Sequence, residues 1–311
     1  MESPAPIRSP ASLLIENWTY TPSSPSLQIR RLRAHMRLLD RRPPPRHKIV
    51  VAPTPAARWN ILFLFLPKGN LDADQRRIFD RLRRLSGKLL VIYASSDHAV
   101  PDPTLRGADA LIWKDLPGFD FSAYALALDA VATFSSGADV YVQNDSVLGP
   151  FADIDAAVAR AAWDLTGFIA SAAVENHISS FAFILRKLTP ERMLGLSTVL
   201  STKWCHDDFS PVVVCQETML ARVAARSMTV GAFLFMPVKP IPRSLTSRLM
   251  LRLQPSRAHR YPMDVSGDAT LGTPLDLLDR GFPFLKRSLF TKFAILGDRP
   301  ALEDRLRALG W

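Results

Sequence analysis

No unbroken apolar run in this chain of 311 residues exceeds six residues. A helix that crosses a membrane needs about 20 consecutive apolar residues, so the sequence predicts no transmembrane span. The N-terminus, Met1-Glu2-Ser3-Pro4, begins with an acid and a proline, and it lacks the basic-then-apolar pattern of a signal peptide. We therefore expect a cytoplasmic protein.

Cysteine is scarce. The two cysteines, Cys205 and Cys215, fit no metal-ligand spacing and give no sign of oxidative export. The run Cys205-His206-Asp207-Asp208 contains only residue types that bind metals, but side chains at adjacent positions seldom all point at one ion. We interpret this run as part of a loop, and both cysteines as ordinary core or loop residues.

The charge is unbalanced, with a formal net charge of +10 at pH 7, which indicates an anionic partner. The candidates are nucleic acid, an anionic membrane surface and a phosphorylated small molecule; a lipid-diphosphate-linked saccharide combines the last two. The basic residues form two clusters: Arg30, Arg31, Arg33, Arg37, Arg41, Arg42, Arg46 and Lys48 in the first, and Lys239, Arg243, Arg248, Arg252, Arg257 and Arg260 in the second. Neither cluster interleaves aromatic residues, as single-strand binders do, and no helix-turn-helix or zinc-finger pattern is visible. We therefore predict no nucleic-acid partner.

Composition divides the chain into three parts. They are a basic, proline-rich extension at residues 1–47, one α/β domain at residues 48–292 with halves at about 48–152 and 153–292, and a helical tail at residues 293–311. Within the extension, residues 27–39 have the spacing of a basic amphipathic helix. This helix either packs on the domain with a solvated basic face or lies on a membrane surface.

Strand-like and helix-like segments alternate through the first half of the domain. The continuous apolar run at residues 61–66 is typical of a strand buried on both faces, and further strands are predicted at 88–93, 110–113 and 139–143. This alternation predicts a mostly parallel, Rossmann-like sheet flanked by helices. Because ligands bind beyond the carboxyl ends of such strands, the loops that follow these four strands should face one cleft.

One polar stretch directly follows a predicted strand: Asn144-Asp145-Ser146-Val147-Leu148-Gly149-Pro150. An aspartate in this position suits Mg²⁺ or Mn²⁺ held against a diphosphate, because phosphates and waters complete the coordination shell. Alternatively, Asp145 caps the turn before Gly149-Pro150. Spacing alone leaves both interpretations open.

This stretch resembles the "NDS…GP" motif of the rhamnan synthesis protein F family, whose members are polysaccharide-assembly glycosyltransferases. Two further blocks follow the family's order. Gly118-Phe119-Asp120-Phe121-Ser122-Ala123-Tyr124 resembles its "GYDFGAW" block, and Gly281-Phe282-Pro283-Phe284-Leu285-Lys286-Arg287 resembles its "GFPFLKRELL" block. Weaker matches are Trp163-Asp164-Leu165-Thr166, His177-Ile178-Ser179-Ser180-Phe181 and Gln216-Glu217. The resemblance covers roughly residues 58–292.

The chain departs from the family pattern at three places: Leu116-Pro117, Ser179 and Leu271-Gly272-Thr273-Pro274. Because these positions neighbour the matching blocks, a change of donor or acceptor could accompany them.

The resemblance implies an A-type glycosyltransferase fold with an irregular acceptor region in the second half. Its motifs imply a donor site made of Gly118, Asp120, Asn144, Asp145, Ser146, Lys286 and Arg287. The sheet topology alone adds Ser95 and Asp97 to this donor site. Asp145 would hold a divalent metal, Mg²⁺ or Mn²⁺. Glu217 would be the catalytic base of an inverting transfer, and Trp163 and His177 would contact the acceptor.

Several of these residues have a purely structural interpretation as well. Glu217 fits an ordinary exposed helix residue, Lys286-Arg287 fits a solvated turn, and His177 fits a hydrogen-bonded structural histidine.

The functional expectation is a metal-assisted, inverting glycosyltransferase. It would move a sugar, rhamnose or a related deoxyhexose among the candidates, from a nucleotide-diphosphate donor onto a polysaccharide or lipid-linked saccharide. It would work at the inner face of the plasma membrane as a peripheral protein. The alternative is a non-catalytic, nucleotide-sugar-binding subunit of a polysaccharide assembly complex, which the departures from the family pattern motivate.

Overall fold

The computed structural model describes residues 13–96, 102–237, 268–294 and 298–311. Two sequence-based expectations, the donor-site residue Asp97 and the second basic cluster at residues 239–260, lie outside the described residues.

The strands are β1 (Ile15–Thr19), β2 (Arg41–Arg42), β3 (His47–Val51), β4 (Arg58–Phe65), β5 (Lys88–Ala94), β6 (Ala110–Lys114), β7 (Ala138–Asn144), β8 (Val147–Leu148), β9 (Leu165–Ser171), β10 (His177–Ile178), β11 (Ala182–Leu188), β12 (Cys205–His206), β13 (Val230–Met236) and β14 (Leu285–Lys286). The α-helices are α1 (Leu27–Leu39), α2 (Ala73–Leu82), α3 (Phe119–Phe134), α4 (Ile154–Arg160), α5 (Pro190–Leu196), α6 (Phe209–Pro211), α7 (Thr218–Ala224), α8 (Ala269–Gly272), α9 (Pro274–Asp279) and α10 (Arg299–Ala308). A π-helical segment, Val212–Glu217, joins α6 to α7. Within the described ranges, no helix is both long enough and apolar enough to cross a membrane.

One mixed sheet forms the centre of the molecule. Its strands follow the order β1-β13-β9-β11-β7-β4-β5-β6-β3, and β10 pairs with β9 beside them. The central block β7-β4-β5-β6 is parallel, as is the pair β13-β9. The other neighbouring strands of this sheet are antiparallel. The predicted α/β class and parallel centre are confirmed, whereas the outer strands make the sheet mixed.

Strand β4 shows why the sequence folds in this way. Ile61 and Phe63 face the core that contains α3, whereas Leu62 and Leu64 face the core that contains α2. Because helices cover both faces of the strand, every side chain from 61 to 64 is buried. The strand therefore carries a continuous apolar run and no polar alternation.

The N-terminal region joins this fold directly. Strand β1 pairs with β13 at the sheet edge, and α1 is docked through Arg33, whose Nε donates to the Val214 carbonyl oxygen at 2.9 Å. The guanidinium of Arg33 also pairs with Glu175, whose side chain is fully buried and pairs with Arg222 as well. Since a buried carboxylate needs such partners, residues 13–47 are held by the body. The predicted boundary at residue 47 does not coincide with a break in the fold.

The second half is more divided than its sequence pattern indicates. The apolar stretch at residues 178–186 is not one strand, because it spans the end of β10 and most of β11. They separate because the Ser180 N–H leaves the sheet to donate to Glu217 at 2.9 Å. The helical segment of this half begins as the π-helical segment and continues directly as α7.

Candidate functional site

A cleft of about 1110 Å³ opens at the carboxyl ends of the central strands. Phe63 and Phe65 from β4, Asn144 from β7 and Asp145 just beyond it line the floor. The loop between β6 and α3 lines one side, and the segment after β14 lines another. The cleft lies at the predicted edge of the sheet, and the loops after β6 and β7 line it, whereas no described residue of the loops after β4 and β5 does.

Asp145 is fixed by N–H donors. Its Oδ2 accepts hydrogen bonds from the Phe65 backbone at 3.0 Å and from Gln75 Nε2 at 2.6 Å. The Gln75 amide cannot turn freely, because its Oε1 accepts from the Asp72 N–H in the capping box of α2. Burial raises the pKa of Asp145, while these hydrogen bonds and the charge of Arg287 oppose that rise. The carboxylate is therefore a partly buried group whose orientation two rigid elements set.

Two of the three motif blocks are joined by backbone hydrogen bonds. Strand β8 pairs with β14, and the flanking backbone adds bonds from Arg287 N to Ser146 O at 2.9 Å and from Phe151 N to Pro283 O at 2.8 Å. Gly149 permits this approach: its φ is +114°, and a Cβ there would lie 2.4 Å from the Pro283 carbonyl oxygen. The blocks at residues 144–150 and 281–287 are one structural unit.

The third block enters the cleft at the start of α3. Asn144 Nδ2 donates to Asp120 Oδ2 at 3.1 Å, which joins this block to the end of β7. Gly118 has a φ of +95°, and its N–H donates to Asp207 Oδ1 at 2.9 Å. The fully buried Lys114 holds the turn from beneath, because its Nζ donates to the Pro117 carbonyl oxygen at 2.8 Å. All three blocks therefore meet around Asn144.

Asp120 and Glu217 form an acidic pair in the cleft. Burial and the negative charge of Glu217 raise the pKa of Asp120 to about 7, although hydrogen bonds from the Phe121 N–H and Asn144 favour the ionised form. Two carboxyl groups that share a partly buried site do not both ionise easily. Near neutral pH Asp120 therefore holds or releases a proton.

Glu217 reaches the cleft from the end of the π-helical segment. Its Oε1 accepts hydrogen bonds from Ser180 N at 2.9 Å and from Ser180 Oγ at 3.0 Å. Single-turn π-helices occur frequently at functional sites, because the extra residue redirects the side chains that follow. The structure thus places Glu217 in the cleft rather than on an exposed helix face.

Basic side chains occupy the wall formed after β14. Arg287 Nη2 pairs with Asp72 Oδ2 at 2.6 Å, and its Nη1 lies 3.4 Å from the Asp145 carbonyl oxygen. Lys286 Nζ lies 4.0 Å from an Asp268 carboxylate oxygen and 5.0 Å from the centre of the Phe181 ring. Both residues line the cleft together with Asp145. The alternative of a solvated turn does not describe this wall.

Two predicted site residues, Trp163 and Ser95, do not line the cleft, and a third, His177, also makes a structural hydrogen bond. Trp163 lies at the opposite end of β9, where its ring covers Gly231 and its Nε1 donates to Thr19 Oγ1 at 3.2 Å. Ser95 is buried, and its hydroxyl accepts from Trp113 Nε1 at 2.9 Å. His177 lines the cleft, but its Nδ1 lies 2.7 Å from the Glu175 carbonyl oxygen. Trp163 and Ser95 are therefore structural, and His177 combines a structural bond with a position on the cleft wall.

Sequence reasoning missed three contributors to the site: Gln75, Lys114 and Asp207. The capping-box spacing of Asp72 and Gln75 was a usable signal for the first, but nothing in it indicates that Gln75 also binds Asp145. Lys114 ends a strand that is otherwise apolar, and Asp207 was interpreted as a loop residue. The role of Asp207 depends on a contact with the distant Gly118, whereas Lys114 bonds the carbonyl oxygen of Pro117 within its own turn.

No protein-family model matches this chain, and no curated protein is significantly similar to it.

The close approach at Gly149 leads to the first prediction. Gly149→Ala should lower the free energy of unfolding by about 2 kcal/mol or more, because the new Cβ both strains the backbone and collides with Pro283. Chemical denaturation measures this change. Gly137→Ala is the matched control, since Gly137 also has a positive φ, of +87°, but has open space around it. Equal losses in the two variants would contradict the packing of the two blocks.

The acidic pair leads to a prediction about pH. The folded-state pKa of Asp120, about 7, exceeds the value of about 4 for an unfolded aspartate, so stability should fall as the pH rises between these values. Asp120→Asn cannot ionise. The variant should match wild type at pH 4 and melt at least about 3 °C higher at pH 8.

Thermal unfolding at both pH values measures the effect. Asp129→Asn, on the exposed side of the same helix, should show no such difference. An Asp120→Asn shift of the same size at pH 4 and pH 8 would contradict the raised pKa.

Proposed function

We propose that this chain transfers a glycosyl group from a nucleoside-diphosphate sugar to a hydroxyl of a polysaccharide or a lipid-linked saccharide. The observation that carries the proposal is the hydrogen-bonded convergence of the three motif blocks on one strand-end cleft. The three blocks resemble glycosyltransferase motifs, and the single donor site that this resemblance implies requires them to lie together, as they do.

The cleft has a basic wall and an acidic wall, which gives the substrates a direction. Lys286 and Arg287 suit the diphosphate, and arginine can bind phosphate oxygens through two parallel N–H groups. The first turn of α3 is less suitable for phosphate, because Asp207 and Asp120 already accept hydrogen bonds from the Gly118 and Phe121 N–H groups. The sugar and the acceptor would therefore lie toward Asp120 and Glu217.

The chemistry is a displacement at the anomeric carbon. The acceptor oxygen forms a bond to that carbon while the bond from the carbon to the diphosphate oxygen breaks. The hydroxyl proton passes to the Glu217 carboxylate, which acts as general base. The nucleoside diphosphate leaves with the negative charge that Lys286 and Arg287 balance. Attack opposite the leaving group gives inversion.

The residues around Asp145 do not fit a preformed site for a divalent metal. Its Oδ2 already accepts two N–H donors, and the guanidinium of Arg287 lies close enough to oppose the rise in its pKa. We derive no step through a metal and assign charge neutralisation to the basic wall.

A binding subunit without catalysis is the second candidate. Leu116 and Pro117, which depart from the family pattern, both line the cleft, so the departure falls on the site itself. This candidate predicts that nucleotide sugars bind and are never consumed.

Glu217→Gln separates the two candidates. If Glu217 is the base, this variant should lose at least about 100-fold in kcat, because general-base catalysis contributes a factor of about 10² to 10⁴. Its affinity for the donor should remain within about threefold of wild type, since the substitution preserves shape. The measurement is nucleoside-diphosphate release from a panel of nucleotide sugars with saccharide acceptors, alongside donor binding by calorimetry.

Glu191→Gln provides the matched control, because Glu191 lies at the start of α5 outside the cleft. Full turnover by Glu217→Gln would remove the assigned base, and donor binding without turnover in wild type would favour the binding subunit. The same assay in excess chelator tests the metal expectation, and we expect turnover to persist.

A further inference from the structure

We propose that one face of α1, together with Arg42 just beyond the helix, docks on an anionic lipid bilayer. We call this surface the basic face, and it consists of Leu27, Arg31, His35, Leu38 and Arg42, whereas the guanidinium of Arg41 stacks on the Trp204 ring at 4.2 Å. The proposal rests on these side chains alone and does not depend on sugar transfer in the cleft.

Helix geometry places the basic face on the side of α1 that points away from the protein. Met36 and Arg33 are 8% and 7% exposed and face the body. Leu27 and Leu38 are 62% and 81% exposed, and Arg31 and His35 lie between them at the spacing of one helix face. Large leucine side chains in contact with water carry a cost that burial in another phase would remove.

The charge of the segment is almost entirely positive. Residues 27–51 contain eight arginines and lysines and one acid, Asp40. Arg33 and Arg46 are paired with Glu175 and Asp115. Arg31 and Arg42 have no carboxylate within ion-pair distance in the part of the chain that the structure describes. Their charges are therefore available to an external anion.

The mixture of charge and aliphatic surface favours a bilayer over nucleic acid. Residues 27–51 contain no phenylalanine, tyrosine or tryptophan, and such side chains are what stack on exposed bases. Exposed leucines beside arginines instead match an interfacial helix, whose apolar side chains enter the boundary between headgroups and acyl chains.

The basic face lies behind one wall of the cleft. On its inner side, α1 packs through Met36 against Val214 and Cys215, which belong to the π-helical segment that also supplies Glu217. Strand β2, formed by Arg41 and Arg42, pairs with Cys205 and His206. A bilayer bound here would therefore sit close to the acidic wall, where an acceptor anchored in lipid would enter.

The test is flotation of the full chain with vesicles of phosphatidylcholine, either alone or with phosphatidylglycerol at ~30% of the lipid. Wild type should bind the anionic vesicles and release them at high salt. Arg31→Gln with Arg42→Gln should weaken binding about 25-fold, because each basic residue near an anionic surface contributes about fivefold. Leu38→Ser should weaken binding about 10-fold through lost apolar burial.

Arg83→Gln with Arg84→Gln is the matched control, since these exposed arginines lie just beyond α2, away from the basic face. It should bind vesicles as wild type does. Thermal melting of every variant verifies that the fold is retained. Unchanged vesicle binding by folded Arg31→Gln/Arg42→Gln would overturn the proposal. A second result would also overturn it: wild type does not bind anionic vesicles but binds single-stranded nucleic acid, and the Arg31→Gln/Arg42→Gln variant loses that nucleic-acid binding.

Discussion

The site depends on one short pairing, that of β8 with β14. It connects the loop after a central strand to a segment more than 130 positions later, and it adds the flanking bonds from Arg287 to Ser146 and from Phe151 to Pro283. Without it, the basic wall would have no fixed relation to Asp145. Because backbone hydrogen bonds have strict geometry, this pairing fixes where positive charge stands relative to the strand ends.

The charges of the cleft are then separated by the sheet itself. Asn144 stands at the end of β7 and binds Asp120, while the next residue, Asp145, is held by the neighbouring strand β4 and by α2. Glu217 enters from the other half of the chain through Ser180. The result is one acidic wall with a proton to hold or release, and one basic wall suited to phosphate. A reaction in which an acceptor hydroxyl loses its proton while a diphosphate leaves would use both walls.

Much of the central fold could be predicted from the sequence, because its signals are local. The apolar run of β4 indicates burial on both faces, and the alternation of strands and helices predicts that the loops after the strands lie at one edge. The polar residues after β7 and the blocks near residues 118 and 281 were identified as site candidates, and the structure brings them together. The sequence pattern predicts the structure wherever residues close together in the chain determine it.

Other features could not be predicted, because their causes lie far apart in the chain. Arg33 belongs to a segment with the pattern of a solvated basic helix, but it is buried because it pairs with Glu175. That partner lies 142 positions away in the sequence. Trp163 matches a family motif weakly, yet its ring covers Gly231 at the end of β9 that is opposite the cleft. The break between β10 and β11 follows from a bond between Ser180 and Glu217. No periodicity in the sequence reports such contacts.

The central claim is that three separate segments form a single nucleotide-sugar cleft. Hydrogen–deuterium exchange of the full chain, with and without a panel of nucleoside-diphosphate sugars, tests it most directly. The account predicts that one donor slows exchange together in peptides covering residues 117–121, 144–151 and 281–288. Slower exchange confined to one of these segments, or in none of them for any donor, would contradict it.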